Sequence, residues 1–118
     1  MNMDYFFDRI RRSVFGGTMT QKQVDGINKI IAYRDANWPK MSDAELSYLL
    51  ATVTHETAFQ MQPVRGMGGE AYLKTKKYYP WVGEGLVQVT WKTNAMKFGA
   101  KQPGDLMTWP IALNAAFS

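Results

Sequence analysis

Residues 51–57 place a histidine and a glutamate side by side at the end of an apolar helical pattern. Glu56 follows Val53 by three residues and Leu49 by seven, so it lies on nearly the same side of the predicted helix as these apolar residues. A carboxyl group at the end of a buried stripe is partly desolvated, and desolvation favours its protonated form. The pattern therefore makes Glu56 a candidate general acid. A glutamate that turns to solvent or pairs with Arg65 fits the same pattern.

His55 invites comparison with zinc-protease helices, in which a second histidine follows three residues after the glutamate. That position is Phe59, His55 is the only histidine, and the chain has no cysteine. These residues exclude a zinc-protease site and thiolate metal sites, and we expect no metal or other cofactor. His55 is interpreted as a structural hydrogen-bonding residue rather than a base, and it is also a candidate substrate contact. The remaining chemistry belongs to carboxylates, amides and hydroxyls, and glycoside hydrolysis needs little more.

A second group of polar residues lies in the stretch 83–91, where one face would carry Val87, Val89 and Trp91 and the other Glu84, Leu86, Gln88 and Thr90. This alternation predicts a β-strand in which Glu84, Gln88 and Thr90 share one face. A carboxylate, an amide and a hydroxyl presented together could hold a water molecule or a substrate hydroxyl. A half-exposed strand whose polar face has no function fits the spacing equally well.

Aromatic side chains interleave with lysines between residues 72 and 81, with Tyr79 and Trp81 at the end of this stretch. Such aromatics can stack on sugar rings or on nucleobases, and they can also anchor a loop to the core. The stretch 60–77 contains three glycines and a proline without a sustained period, which predicts a long surface loop. Tyr79 and Trp81 are therefore candidate substrate contacts.

The segments before these motifs predict helices. Residues 3–15 carry apolar residues at helical spacing and end at two glycines. Thr20 to Gln23 and Ser42 to Glu45 have the spacing of capping boxes, and each precedes an apolar stripe. Gly26 interrupts the second stretch and permits close packing there.

The segments after the motifs predict a short helix over 94–98, a turn over 102–105 and a final helix with Pro110 near its start. The apolar stripe of the final helix ends with the chain, which predicts a protein partner or self-association through this helix.

Composition describes one domain spanning residues 1–118. The chain has 46% hydrophobic residues, enough for a core, and a net charge of +4, which gives mild attraction to polyanions. Charged residues interrupt the N-terminal apolar run, so it predicts neither a signal peptide nor a membrane span. We expect a protein that is cytoplasmic as made, and that needs another factor to release it if it acts outside the cytoplasm.

Two ordered stretches resemble motifs of glycoside hydrolase family 19, and in particular its phage endolysins and bacterial chitinase-like members. The first is the segment 51–59, which continues through 62–65. The second comprises Tyr78 and Tyr79, then 83–91 and Asn94, and it is similar to a Gly-Arg-Gly segment that leads into a Gln-Leu-Thr strand and Asn-Tyr. The similarity spans nearly the whole chain.

The resemblance implies a mainly α, lysozyme-like α+β domain with a small β element beside a cleft, apparently lacking the family's C-terminal part. It implies inverting, metal-free hydrolysis of β-1,4-linked N-acetylhexosamine polymers, either peptidoglycan or chitin. By position, Glu56 would be the general acid. Gln88, Thr90 and Asn94 would line the cleft and hold the attacking water or the sugar.

The chain departs from the family pattern in the second motif. Glu84 stands where the family has Arg, and Ala95 stands where the Asn is followed by Tyr. The resemblance leaves two candidates for the second carboxylate, Glu70 and Glu84. These departures favour an alternative, an inactive hydrolase scaffold that binds a protein as a phage-encoded inhibitor would. Nucleic-acid binding through residues 74–81 is a third and weaker hypothesis.

Overall fold

The computed structural model describes residues 2–118 as a mainly helical chain with one two-stranded antiparallel sheet. The helices are α1 (Met3–Ser13), α2 (Gln21–Asn37), α3 (Asp43–Glu56), α4 (Gly69–Leu73), α5 (Lys92–Lys97) and α6 (Trp109–Ala116), with a 3-10 turn at Asp105–Met107. The strands are β1 (Val64–Arg65) and β2 (Glu84–Gly85). The predicted mainly helical class with a small β element is confirmed.

Both predicted capping boxes are present. The Thr20 hydroxyl accepts a hydrogen bond from the Gln23 N–H at 3.1 Å, and the Gln23 side chain accepts one from the Thr20 N–H at 2.8 Å. Ser42 and Glu45 make the same reciprocal pair at the start of α3. These bonds satisfy N–H groups that have no partner inside the helix, so they determine where α2 and α3 begin.

The main apolar core lies between α2, α3 and α6. Its buried members are Ile27, Ile30, Ile31, Leu46, Leu50, Val53, Met61, Leu86, Ala112, Leu113 and Phe117. Phe117 is 6% exposed and Leu113 is 9% exposed, so the apolar stripe of the last helix is covered by the chain's own core. The apolar stripe that motivated the predicted partner contact or self-association is thus buried against α2 and α3 in the main core.

Gly26 allows α2 to touch the turn that follows α3. A Cβ atom at this position would lie 1.7 Å from the carbonyl oxygen of Met61. No side chain fits such an approach, so the predicted close packing at Gly26 is confirmed. The glycine thereby sets the distance between α2 and the segment immediately after Glu56.

The prediction of an irregular loop over 60–77 is wrong, because this segment contains β1 and α4. The strand has two residues and the helix five, which is too short for either to show a periodic sequence pattern. Gly68 and Gly69 have φ angles of 108° and 77° and turn the chain into α4. Pairing of β1 with β2, twenty residues along the chain, organises the segment.

The prediction of a strand over 83–91 is also wrong beyond its first residues. The Glu84 N–H donates to the Val89 carbonyl at 3.2 Å and the Val89 N–H donates to the Glu84 carbonyl at 3.0 Å, so the chain reverses within a tight hairpin. Gln88 has a φ of 52°, and Leu86, expected on the polar face, is fully buried. Glu84, Gln88 and Thr90 therefore do not share the face of an extended strand.

Helix α1 ends at Ser13, two residues before the predicted limit, and is the least buried long helix. None of its residues is buried, although Phe6, Phe7 and Ile10 pack against the core from outside. Arg12 pairs with Asp8 at 2.6 Å on the solvent side. In the described part of the chain, no helix combines the length and apolar character needed to cross a membrane.

Candidate active site

Glu56 is the last residue of α3, and its side chain is half-buried. The next residue, Thr57, is fully buried and fastens the turn that follows. Its hydroxyl donates to the Val53 carbonyl at 2.7 Å and accepts from the Met61 N–H at 3.0 Å. The end of α3 is thus locked to the core. Among residues 2–118, Glu56 is not an acidic partner in any ion pair, so the expected alternative pairing with Arg65 does not occur.

The backbone beyond Glu56 is strained. Ala58, Phe59 and Met61 have φ angles of 50°, 71° and 55°, in the left-handed region that residues with a side chain rarely adopt. Gln88 and Trp91 have φ angles of 52° and 75°. In the described chain these five are the non-glycine residues with positive φ, and all lie within or beside the sequence motifs. Such conformations cost about 1–3 kcal/mol each and persist where the surrounding structure imposes them.

His55 is exposed and lies at the edge of an apolar cavity of about 370 Å³ between α1 and α3. The lining residues are Phe6, Ile10, Val14, Phe15, Ile27, Ser47, Leu50, Ala51, Thr54, His55, Phe59 and Met61. The Thr54 hydroxyl donates to the Leu50 carbonyl at 2.7 Å, which leaves the cavity surface mostly apolar. Glu56 is not part of this lining, so the cavity and the candidate general acid are on different surfaces of α3.

Glu84 is the most buried carboxylate near the motifs, with 3% of its surface exposed. Oε1 accepts a hydrogen bond from the Gly104 N–H at 2.9 Å, whereas Oε2 is buried without a hydrogen-bond partner. Burial raises the pKa of Glu84, and nearby Asp105 raises it further. The Gly104 bond and the charge of Arg65 counteract this shift without cancelling it. Glu84 is therefore the strongly desolvated carboxyl beside the motifs.

Arg65 connects Glu84 to the second candidate carboxylate, Glu70. Arg65 lies opposite Glu84 across the β1–β2 pair, with Nη1 3.7 Å from Oε2 of Glu84. Its Nη2 pairs with Oε1 of Glu70 on α4, and the Tyr79 hydroxyl donates to the other oxygen of Glu70 at 3.1 Å. Desolvation acts to raise the pKa of Glu70, but hydrogen bonds from Arg65 and Tyr79 and the charge of Lys74 lower it overall.

The amide and hydroxyl residues of the second motif hold the hairpin itself. Gln88 Nε2 donates to the carbonyls of Val64 at 2.8 Å and Gly85 at 3.2 Å, which joins the turn to β1. The Thr90 hydroxyl donates to the Gln88 carbonyl at 3.2 Å. Asn94 is exposed, and its amide donates to the Thr90 carbonyl at 3.1 Å. Their backbone bonds give these candidate cleft residues a local role in addition to any contact with substrate.

Of the tryptophans in and beside the second motif, one packs against the core and one is exposed to solvent. Trp81 is half-buried and packs against a second apolar cluster formed by Val89, Ala95, Ala100, Leu106 and Ala115. Trp91 is 50% exposed, and its ring stands edge-on to Tyr78 with centroids 5.5 Å apart. The predicted alternation put Trp91 on an apolar face, so sequence reasoning missed it as an exposed aromatic surface. Its exposure depends on a positive φ that no local pattern indicates.

Arg65 is the other residue that sequence reasoning undervalued. The sequence suggests Arg65 as a partner for Glu56, whereas the structure pairs it with Glu70 and Glu84. The pairing arises because β1 and β2 bring positions 65 and 84 opposite each other. No short-range pattern contains this information.

Comparison with family models, with curated proteins and with solved structures found no match for this chain.

Proposed function

We propose that this protein hydrolyses β-1,4 linkages between N-acetylhexosamine units of peptidoglycan, or of chitin, with Glu56 as the general acid. The observation that carries the proposal is backbone strain. In residues 2–118, the non-glycine residues with positive φ lie in the two stretches that resemble motifs of family 19 hydrolases, except Met61, which lies between the two parts of the first stretch. Strained residues cluster at active sites, where a rigid surrounding structure holds reacting groups in place.

The environments of the three glutamates support different roles. Glu56 is half-buried at a helix end locked by Thr57, which suits a group that must approach a leaving oxygen without full hydration. Glu70 is exposed and its pKa is lowered, so it is ionised at neutral pH, as activation of a water molecule requires. Glu84 is 3% exposed and has little access to a substrate, so the proposal takes Glu70 as the second carboxylate.

The test is clearing of purified peptidoglycan by the wild type and by Glu56→Gln and Glu70→Gln. Each variant keeps the side-chain shape but cannot perform acid–base chemistry, so we expect turnover to fall by roughly 10²–10⁴-fold. Glu45→Gln is the matched control, because it removes a carboxylate from the same helix α3 while a glutamine can still complete the capping box. Full activity of Glu56→Gln would remove Glu56 from the mechanism.

A protein-binding function of the inhibitor type is the second candidate, and the apolar cavity between α1 and α3 favours it. A cavity of about 370 Å³ is large enough for an apolar side chain of a partner. This function predicts that a folded wild type leaves peptidoglycan intact and slows its lysis by a second wall hydrolase. Ala51→Arg, which places a charge at the cavity, should abolish that inhibition, whereas lysis by the wild type alone would contradict this candidate.

A further inference from the structure

Glu84 is an acidic residue in an environment that is unfavourable for a charge. It is 3% exposed, it carries one oxygen without a hydrogen-bond partner, and its nearest cation is Arg65 at 3.7 Å. A buried carboxylate with an unsatisfied oxygen is costly, and replacement by a neutral residue would remove that cost. A charge kept in such a place is expected to act on its neighbours.

The guanidinium of Arg65 is the neighbour through which Glu84 can act. Its two terminal nitrogens are divided between the two carboxylates, with Nη1 facing Glu84 and Nη2 on Glu70. A guanidinium has a planar, rigid fork of donors, so the position of one nitrogen determines the position of the other. Pairing of β1 with β2 places the backbone of Glu84 opposite that of Arg65. The hydrogen bond from the Gly104 N–H then fixes the carboxyl group of Glu84.

We propose that Glu84 is a positioning residue that acts through Arg65: the buried carboxylate shares the guanidinium with Glu70, and the guanidinium so held keeps Glu70 in place. The catalytic meaning of this arrangement rests on the proposed function, in which Glu70 is the second carboxylate. Glu70 is exposed on the five-residue helix α4 and would otherwise have several side-chain conformations available. Arg65 on one oxygen and Tyr79 on the other restrict it to one.

The charges around this arrangement determine the sign of the effect. Arg65 and Asp105 act on Glu84, while Arg65, Tyr79 and Lys74 act on Glu70. When Glu84 is neutral, Arg65 has one carboxylate in place of two, and its charge acts fully on Glu70. The pKa of Glu70 should then fall further, so a neutral residue at position 84 should move the titration of Glu70 to lower pH.

The experiment is a carboxyl-carbon NMR titration of Glu70 in the wild type and in Glu84→Gln. Glutamine retains an oxygen that accepts from the Gly104 N–H, so this variant removes the charge and keeps the bond. We expect the titration of Glu70 to shift to lower pH and, with an active enzyme, the acidic limb of the pH–rate profile to shift with it. Arg65→Gln should shift both in the opposite direction and lower kcat, by about 10²-fold if Glu70 moves by about 1 Å.

Asp25→Asn is the control, because Asp25 is exposed on α2 and pairs with neither Arg65 nor Glu84, and it should leave the titration of Glu70 in place. An unchanged titration in Glu84→Gln would overturn the inference and leave Glu84 a structural residue whose loss alters only thermal stability. If Glu84→Gln does not fold, the wild type decides: coupling requires a second inflection in the Glu70 curve, and a single inflection overturns it. A shifted titration in a protein that does not cleave peptidoglycan supports the positioning role and rejects the proposed function.

Discussion

At the scale of single residues, burial separates carboxylates that look alike in the sequence. Glu70 and Glu84 were equal candidates for the second acid, yet the first is on the surface and the second is 3% exposed. Their pKa values accordingly shift in opposite directions, downward for Glu70 and upward for Glu84. Arg65 lies between them and responds to both. Of the two, Glu70 therefore has the access to water that the proposed role requires.

Asp105 provides a residue-scale test of how charge stabilises the turn beside Glu84. Its carboxylate accepts from the N–H groups of Lys101 at 2.8 Å and Gln102 at 3.1 Å, and these bonds lower its pKa. Because the folded pKa is below the unfolded one, the stabilisation is complete above the unfolded value of about 4 and is lost as pH falls through the folded value.

We therefore expect Asp105→Asn to lower Tm at neutral pH, with the difference from the wild type disappearing in acid. Thermal unfolding followed by circular dichroism between neutral and strongly acidic pH measures this directly. Asp25→Asn, on the exposed side of α2, is the control. A Tm difference that stays constant down to the most acidic condition would show that the carboxylate charge has no part in holding the turn.

At the scale of elements, the sequence predicts helices correctly where their ends carry local signals. It does not predict the small β element. The capping boxes at Thr20 and Ser42 use bonds between residues three apart, which a short sequence pattern contains completely. The hairpin around β2 depends on a positive φ at Gln88 and on bonds from Gln88 to β1. The alternating pattern of 83–91 was compatible with an extended strand, and tertiary contacts overrode it.

The contact of α2 with the turn after α3 predicts a large effect for Gly26→Ala. The added methyl group would overlap the Met61 carbonyl oxygen, so either the helix or the turn must move. We expect the free energy of unfolding to fall by about 1–3 kcal/mol, the usual cost of overpacking. Chemical denaturation of this variant and of Asn28→Ala, at an exposed position of the same helix, makes the comparison. Equal stability of the two variants would contradict the close approach.

At the scale of the whole molecule, stability is distributed unevenly. The main core joins α2, α3 and α6, so the last helix packs with two helices from the first half of the chain in one apolar cluster. A second, smaller cluster lies beneath the hairpin and includes Ala115 from α6. Helix α1 contributes no buried residue, and its side-chain hydrogen bonds and ion pairs, those of Asn2 included, stay within the segment 2–13.

This distribution predicts that α1 opens independently of the rest of the protein. Local opening is easiest where few apolar contacts are lost, so amide hydrogens of α1 should exchange faster than those of α2 and α3. Native-state hydrogen exchange measured by NMR distinguishes the elements residue by residue. Protection of α1 amides equal to that of the Ile30 region of α2 would mean that α1 is integrated into the core.

Local sequence was sufficient for the helical class, the two capping boxes, the close contact at Gly26 and the proline near the start of the last helix. Each of these depends on residues within a few positions or on the absence of a side chain. The tertiary structure decided which carboxylate is buried and which carboxylates Arg65 pairs with. It also decided that the apolar stripe of the last helix is buried in the main core. Those outcomes depend on contacts between distant positions, such as Arg65 with Glu84 and Glu84 with Gly104, and no short pattern encodes them.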